Sequence, residues 1–141
     1  MDPAELVRFL EAPVRPGVVA TTRADGRPHA APVWFDLEPG GDLTVVFTTG
    51  ANTVKGRNLA RDPRLTMVVQ DDRPLFSFVL LEGTAELIDD IEQVRAWATR
   101  IGGRYMGADR AEEYGRRNGV PGELLVRMRV TATASAADLA D

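Results

Sequence analysis

The densest grouping of residues able to hold a charged ligand is the link Thr48-Thr49-Gly50-Ala51-Asn52-Thr53-Val54-Lys55-Gly56-Arg57-Asn58-Leu59-Ala60-Arg61-Asp62-Pro63-Arg64. It follows the apolar run Leu43-Thr44-Val45-Val46-Phe47 and precedes Leu65-Thr66-Met67-Val68-Val69, so it joins two predicted strands. A short helix fits inside it: Asn52 or Thr53 can cap the start, Val54 and Leu59 can face inward, and Pro63 forbids continuation. Two hydroxyls (Thr48, Thr49), capped helix-start N–H groups and three cations (Lys55, Arg57, Arg61) are the equipment for holding a phosphate. Lys55 is the only lysine; every other basic residue is an arginine. Lys55 and Arg57 stand about 200° apart on an ideal helix, so mid-helix positions would send them in different directions. The same residues also read as a solvated surface helix with ordinary charges, and both readings stay open at this level.

Protein-borne catalysis has little raw material. The only serines are Ser77 and Ser135, the only histidine is His29, and cysteine is absent, which starves any Ser-His-Asp or Cys-His arrangement. One imidazole cannot found an ordinary zinc site without carboxylates supplying the rest. The pairs Asp71-Asp72 and Asp89-Asp90 sit where a turn and a helix cap explain them. If the chain is an enzyme, a bound cofactor must supply the reactivity. A net charge of −4 argues against nucleic acid as a partner, so the cations around Lys55 point to a small anion.

The elements that must position this link can be taken in order. Asp2 caps a first helix within residues 1–12, with Pro3 at its first position and Leu6, Phe9 and Leu10 as its apolar stripe. Gly17–Thr22 reads as a strand, Asp25-Gly26 as a tight turn, and Arg27–Leu37 as one returning strand that Pro28 and Pro32 confine to an edge or a bulge. Leu43–Thr48 then continues a meander of hairpins. Leu65–Gln70 and Leu75–Ile88 follow, Gly83 marking a bulge in the latter. Asp89 or Asp90 caps a helix to about Ile101, whose stripe is Ile91, Val94, Trp97, Ala98 and Ile101, and Gly102-Gly103 ends it. Ala108–Asn118 makes a shorter polar helix. Leu124–Ala134 alternates as a half-buried strand, and residues 132–141 read as a frayed tail.

Six strands in hairpin order with inserted helices predict a mainly β protein built as a small closed or split antiparallel barrel. Strand-helix alternation, G-x-G-x-x-G and G-x-x-x-x-G-K-[ST] are all missing, which argues against a Rossmann or P-loop site. At 141 residues with 44% apolar content, one domain spanning 1–141 is expected. No apolar run approaches a membrane span and no secretory pattern opens the chain, so a cytoplasmic location without membrane partners is expected, and the lack of cysteine agrees with it.

Taken together, Gly17-Val18-Val19-Ala20-Thr21-Thr22, Asp25-Gly26-Arg27-Pro28-His29, Pro32-Val33-Trp34-Phe35, Lys55-Gly56-Arg57-Asn58-Leu59 with Asp62-Pro63-Arg64, and Glu82-Gly83-Thr84-Ala85-Glu86 resemble the pyridoxamine-phosphate-oxidase-like split β-barrel superfamily. Within it the chain resembles the actinobacterial deazaflavin (coenzyme F420)-dependent reductases of the FDOR-B branch, best over residues 5 to 90. The resemblance implies a six-stranded split barrel and a homodimer with a flavin-type cofactor at each subunit interface. It implies that Thr48, Thr49, Lys55, Arg57 and Asn58 lie near the cofactor phosphate, that Pro32, Val33 and Trp34 run along its ring, and that Phe76, Ser77 and Phe78 line the substrate pocket. The expected activity is hydride transfer from reduced F420 to a small, flat, conjugated substrate. The alternatives are an FMN- or haem-binding relative, or a non-catalytic carrier of such a ligand.

Overall fold

The chain crosses from one edge of its sheet to the other within two residues. A computed structural model describing residues 1–141 places strands β1 (Gly17–Thr22), β2 (Pro28–Val33), β3 (Asp36–Leu37), β4 (Thr44–Gly50), β5 (Arg64–Asp71), β6 (Ser77–Ile88) and β7 (Glu123–Ala136) in one antiparallel sheet of order β2-β1-β5-β6-β7-β4-β3. The strands on its two edges, β2 and β3, are joined only by Trp34 and Phe35, so the curled sheet nearly closes on itself as a split barrel.

That crossing explains the strand count of seven instead of six. The expected single strand Arg27–Leu37 breaks at Trp34-Phe35, and its halves pair with different partners, β2 with β1 and β3 with β4. The expected meander survives only at its end: Asp36 and Leu37 form a hairpin with β4, whose other neighbour is β7 rather than β2. The prolines behave as chemistry requires, since Pro28 and Pro32 both lie in β2, whose outer side needs no ladder donor. Gly83 falls at a register shift between β6 and β7, where a Cβ would collide with the Arg129 carbonyl oxygen.

Helix α1 (Pro3–Glu11) is capped by Asp2, whose Oδ1 accepts the Glu5 N–H at 2.8 Å, and α2 (Val54–Arg61) by Thr53, whose Oγ1 accepts the Gly56 N–H at 3.1 Å. Each such cap contributes on the order of 1 kcal/mol. Leu6 and Leu10 of α1 and Leu59 of α2 join Val19, Phe35, Phe47, Met67, Leu81 and Met128 in the barrel core. Val54, expected to point inward, is exposed, because it occupies the first helical position, before the chain has turned toward the barrel.

Helix α3 (Ile91–Met106) packs on the other side of β4 and β7, where Val94 meets Val46 and Leu125, and α4 (Ala111–Asn118) packs on α3. Gly102-Gly103 does not end α3, which runs on to Met106 with Gly107 as its cap at φ 105. The glycines serve packing instead: a Cβ on Gly102 would run into the Tyr114 Cβ, so only glycine lets α4 lie this close. The tail is ordered further than expected. β7 stays paired with β6 through Ala136, opposite Phe78, and the N–H groups of Leu139 and Ala140 donate to the carbonyls of Phe76 and Leu75. No helix is long and apolar enough to cross a membrane.

Candidate functional site

Side chains alternate along β4, so Val45, Phe47 and Thr49 face the barrel interior while Val46 and Thr48 face α3. Where α3 and α4 leave the sheet uncovered beyond Val46, a cavity of about 260 Å³ opens, lined by Trp34, Thr48, Thr49, Gly50, Lys55, Ala98, Ile101, Gly102, Asn118 and Glu123. Lys55 enters it from the first turn of α2 and is its only cation. Burial pushes the Lys55 ammonium below its ordinary range, opposed by the charge of Glu123. Lys55 takes part in no ion pair. A half-buried ammonium without a bonded counter-ion is suited to receiving an anion.

The other cations of the link turn elsewhere. Arg57 folds back over the helix start, its Nε and a terminal nitrogen donating to the Asn52 carbonyl at 3.1 and 2.7 Å. Arg61 ties α2 to β1 by donating to the Thr22 carbonyl and, at 3.1 Å, to Asn58 Oδ1. Asn58 is buried, and its amide donates to Thr21 Oγ1 at 3.0 Å. Arg64 pairs with Asp62 at 2.8 Å, which lowers the Asp62 carboxyl to about 2. Lys55 and Arg57 therefore diverge, as their spacing on one helix requires. Of the hydroxyls, Thr48 lies on the side facing α3, while buried Thr49 shares a 3.1 Å hydrogen bond with Thr53.

Trp34 sits in the cavity wall at the barrel crossing, stacked on Tyr105 at 5.1 Å and 6° and edge-on to Tyr114 at 5.5 Å. Tyr105 fixes the crossing itself. Its hydroxyl accepts the Phe35 N–H at 3.1 Å and donates to the Arg15 carbonyl at 2.7 Å, and burial raises its ionisation above the usual range. Val33 belongs to the barrel core and Pro32 lies outward on β2, so neither lines this cavity.

Phe76, Ser77 and Phe78 are not brought to Lys55 within one chain. Phe78 pairs with Ala136 at one end of β7, and Glu123 at the other end pairs with Gly50. The 14 residues of β7 between them correspond to about 40 Å of path at roughly 3.3 Å per step. Phe76 is exposed at φ 65, and Ser77 Oγ accepts the Asp138 N–H at 3.1 Å. Glu123, Asn118, Tyr105 and Tyr114 escaped the sequence reading. They come from strand β7 and the two covering helices, far along the chain, and none carries a local motif.

The fold and this cavity define a class: a split β-barrel with one anion-ready lysine beside an aromatic wall. The chain belongs to the pyridoxamine 5'-phosphate oxidase family, which it matches over residues 3–135. Among solved structures it resembles the conserved hypothetical protein Rv2991 from Mycobacterium tuberculosis, at 27% identity over 98% of this chain and 86% of that one, with a TM-score of 0.84. It also resembles an F420 reductase at 27% identity, over 90% of this chain and 94% of that one, with a TM-score of 0.69. The haem storage protein HutZ from Vibrio cholerae, at 16% identity over 95% and 92% of the two chains and a TM-score of 0.70, shares the fold.

Proposed function

We propose that the chain is an F420-dependent reductase of the FDOR-B branch, working as a homodimer in the cytoplasm. The observation that carries this reading is the half-buried, unpaired Lys55 in a cavity walled by Trp34 and Thr48. The fit to a phosphate-bearing cofactor rests on the cation and the hydroxyl that the cavity offers. The enclosed Glu123 Oε2, which has no hydrogen-bond partner, is itself an acceptor and meets a phosphate oxygen only when the carboxyl is protonated. At about 260 Å³ it is smaller than the pockets that enclose whole ligands of this size, so it suits the phosphate and its adjoining chain, with the ring lying outside.

Lys55 would hold the phosphate, Thr48 would add a hydroxyl, and Trp34, clamped by Tyr105, would offer a rigid aromatic edge to orient the ring. Arg57 at the start of α2, Arg61 at its end and Arg64 at the start of β5 would extend positive charge toward an anionic tail. Asn58 supports the site indirectly by fastening α2 to β1. The chemistry such a cofactor supplies when bound is hydride transfer from its reduced ring to a small, flat, conjugated substrate.

The ring and substrate need a second wall, and the homodimer supplies it in this reading. Pro32, Val18, Val68, Leu80 and Ala134 stand side by side across five strands on the outer face of the sheet, with Val18 44% exposed. A symmetric partner would cover this apolar row. It would also give Phe76, Ser77 and Phe78 a role, by carrying them toward the other subunit's cavity.

The test is parallel titration with F420 and FMN at low and high ionic strength, followed by oxidation of reduced F420 in the presence of conjugated substrates. Tighter F420 binding, with the margin over FMN shrinking as salt screens the tail, supports the reading. Equal or tighter FMN binding at both salt levels moves the chain to FMN-using relatives. Haem absorption in the purified protein moves it to the carriers.

A further inference from the structure

We propose that Glu123 determines which anions the Lys55 cavity accepts: as an internal counter-ion it admits a singly charged phosphodiester and disfavours a doubly charged phosphomonoester. The inference rests on the reading of this cavity as a phosphate site.

Glu123 opens β7 in register with Gly50, and its side chain projects toward α3 on the same side of the sheet as Leu125. A Cβ built on Gly50 would stand 3.6 Å from Glu123 Oε2, an ordinary contact distance, so the carboxylate lies directly over the Gly50 position of β4. Oε2 is closed to solvent and accepts no hydrogen bond. The cavity that Glu123 lines is shared by every neighbouring element: Lys55 from α2, Thr48 and Thr49 from β4, Ala98 and Ile101 from α3, Asn118 from α4, and Trp34 from the crossing. Lys55 is the only charged one. The two do not form an ion pair, yet each feels the other: burial raises the Glu123 carboxyl and Lys55 opposes it, and burial lowers the Lys55 ammonium and Glu123 opposes it.

A carboxylate beside a lone phosphate-binding lysine makes charge balance the selecting principle. With both groups ionised the cavity is neutral, and an arriving monoanion leaves one excess negative charge. One proton taken up by Glu123 cancels it. A phosphomonoester, close to a dianion at neutral pH, still leaves an uncompensated charge after the same proton uptake, and in an enclosed site that is costly. FMN carries its phosphate as a monoester, and F420 carries it as a diester. Protonated Glu123 also gains something to do, because its O–H can donate to a phosphate oxygen, whereas the ionised carboxylate has only lone pairs to offer.

The sign of the pH dependence follows. Anion binding raises the affinity of Glu123 for a proton, so binding is tightest where the carboxyl is already protonated and weakens as pH rises past its titration in the free protein. The diester does not itself titrate near neutrality, but the hydroxyl on the deazaflavin ring does, so the Glu123 contribution is read as the difference between wild type and variant. In the wild-type protein the F420 association constant should fall as pH rises past the Glu123 titration, which burial places above the ordinary carboxylate range, by up to about tenfold per pH unit for one linked proton. In Glu123→Gln, which keeps the shape and removes the charge, that part of the slope should vanish. FMN affinity should rise more than F420 affinity, narrowing the preference by about tenfold. A flat pH profile in the wild-type protein, which needs no variant, overturns the proposal, as does an unchanged F420-to-FMN ratio in Glu123→Gln. The Lys55→Ala arm separates the two levels: lost binding there with an indifferent Glu123→Gln leaves the phosphate site standing without its counter-ion. Undiminished binding in Lys55→Ala removes both.

Discussion

The two sides of the sheet are finished in opposite ways. Over β4 and β7 the outward face is covered by α3 and α4: Val46 and Leu125 are sealed beneath Val94, and the polar cavity forms where that cover runs out beside Thr48, Lys55 and Glu123. Over β1, β5 and β6 no helix seals the outward face: Val18 is exposed, Val68 and Leu80 are half-buried, and only the Pro13–Pro16 segment borders Val18 and Val68. Both faces alternate in the same two-residue rhythm. What differs is who provides the cover, the same chain in one case and, in the reading proposed here, a second copy in the other. A face covered internally can afford a small polar pocket because the helices hold its shape, whereas a bare apolar face is useful mainly as a surface for association.

The sharpest way to break this comparison is to place a charge on the bare face. Leu80→Asp should convert the dimer to monomer, since an unpaired carboxylate in an apolar interface costs several kcal/mol, while the barrel core stays untouched. Sedimentation at micromolar concentration reads the result; a wild-type protein that is already one chain in mass would remove the contrast between the faces. On the covered face, Lys55→Ala should weaken F420 binding by about 1–3 kcal/mol, the scale of a charge-assisted hydrogen bond. Arg57→Ala should cost clearly less, about 0.5–1 kcal/mol, because that guanidinium is already engaged on the Asn52 carbonyl. Equal losses in the two variants would mean that Arg57 leaves its place to join the phosphate. Thr53→Ala should lower unfolding stability by about 1 kcal/mol through loss of the α2 cap, measured by denaturant midpoint. The smallest effect concerns Trp34. If its free edge meets the ring, cofactor should quench its fluorescence, and the quenching should fall in Trp34→Phe to the level left by Trp97. Undiminished quenching would assign Trp34 to the aromatic stack alone.

Much of this protein was legible in its sequence, and the parts that were share a cause. The cap at Asp2, the caps narrowed to Asn52 or Thr53 and to Asp89 or Asp90, the turn at Asp25-Gly26, the bulge at Gly83, the edge placement of Pro28 and Pro32 and the inward stripe of Val94, Ala98 and Ile101 all follow from forces acting over a few residues. Backbone donors that proline lacks, hydroxyls that reach a free N–H, and apolar periodicity are local quantities. So was the cation- and hydroxyl-rich composition of the Thr48–Arg64 link, as a list of residue types.

Which of those residues share a cavity depended on where distant elements came to rest. Nothing near Trp34-Phe35 announces that the chain there leaves one sheet edge for the other; the Tyr105 hydroxyl, bonded to the Phe35 N–H and the Arg15 carbonyl, holds that crossing from 70 residues away in sequence. Gly102 could be read as a helix breaker until α4 was seen packed against it, because the reason for a missing side chain lies on the neighbouring helix. The same holds for Lys55 among its fellow cations. Sequence places four basic side chains within ten residues, but Arg57, Arg61 and Arg64 find oxygens of Asn52, Thr22 and Asp62, and only Lys55 reaches the space under α3. Hydrogen-bond partners at long sequence separation are created by folding, so the composition of the link was determined by the sequence and the division of labour within it by the tertiary structure.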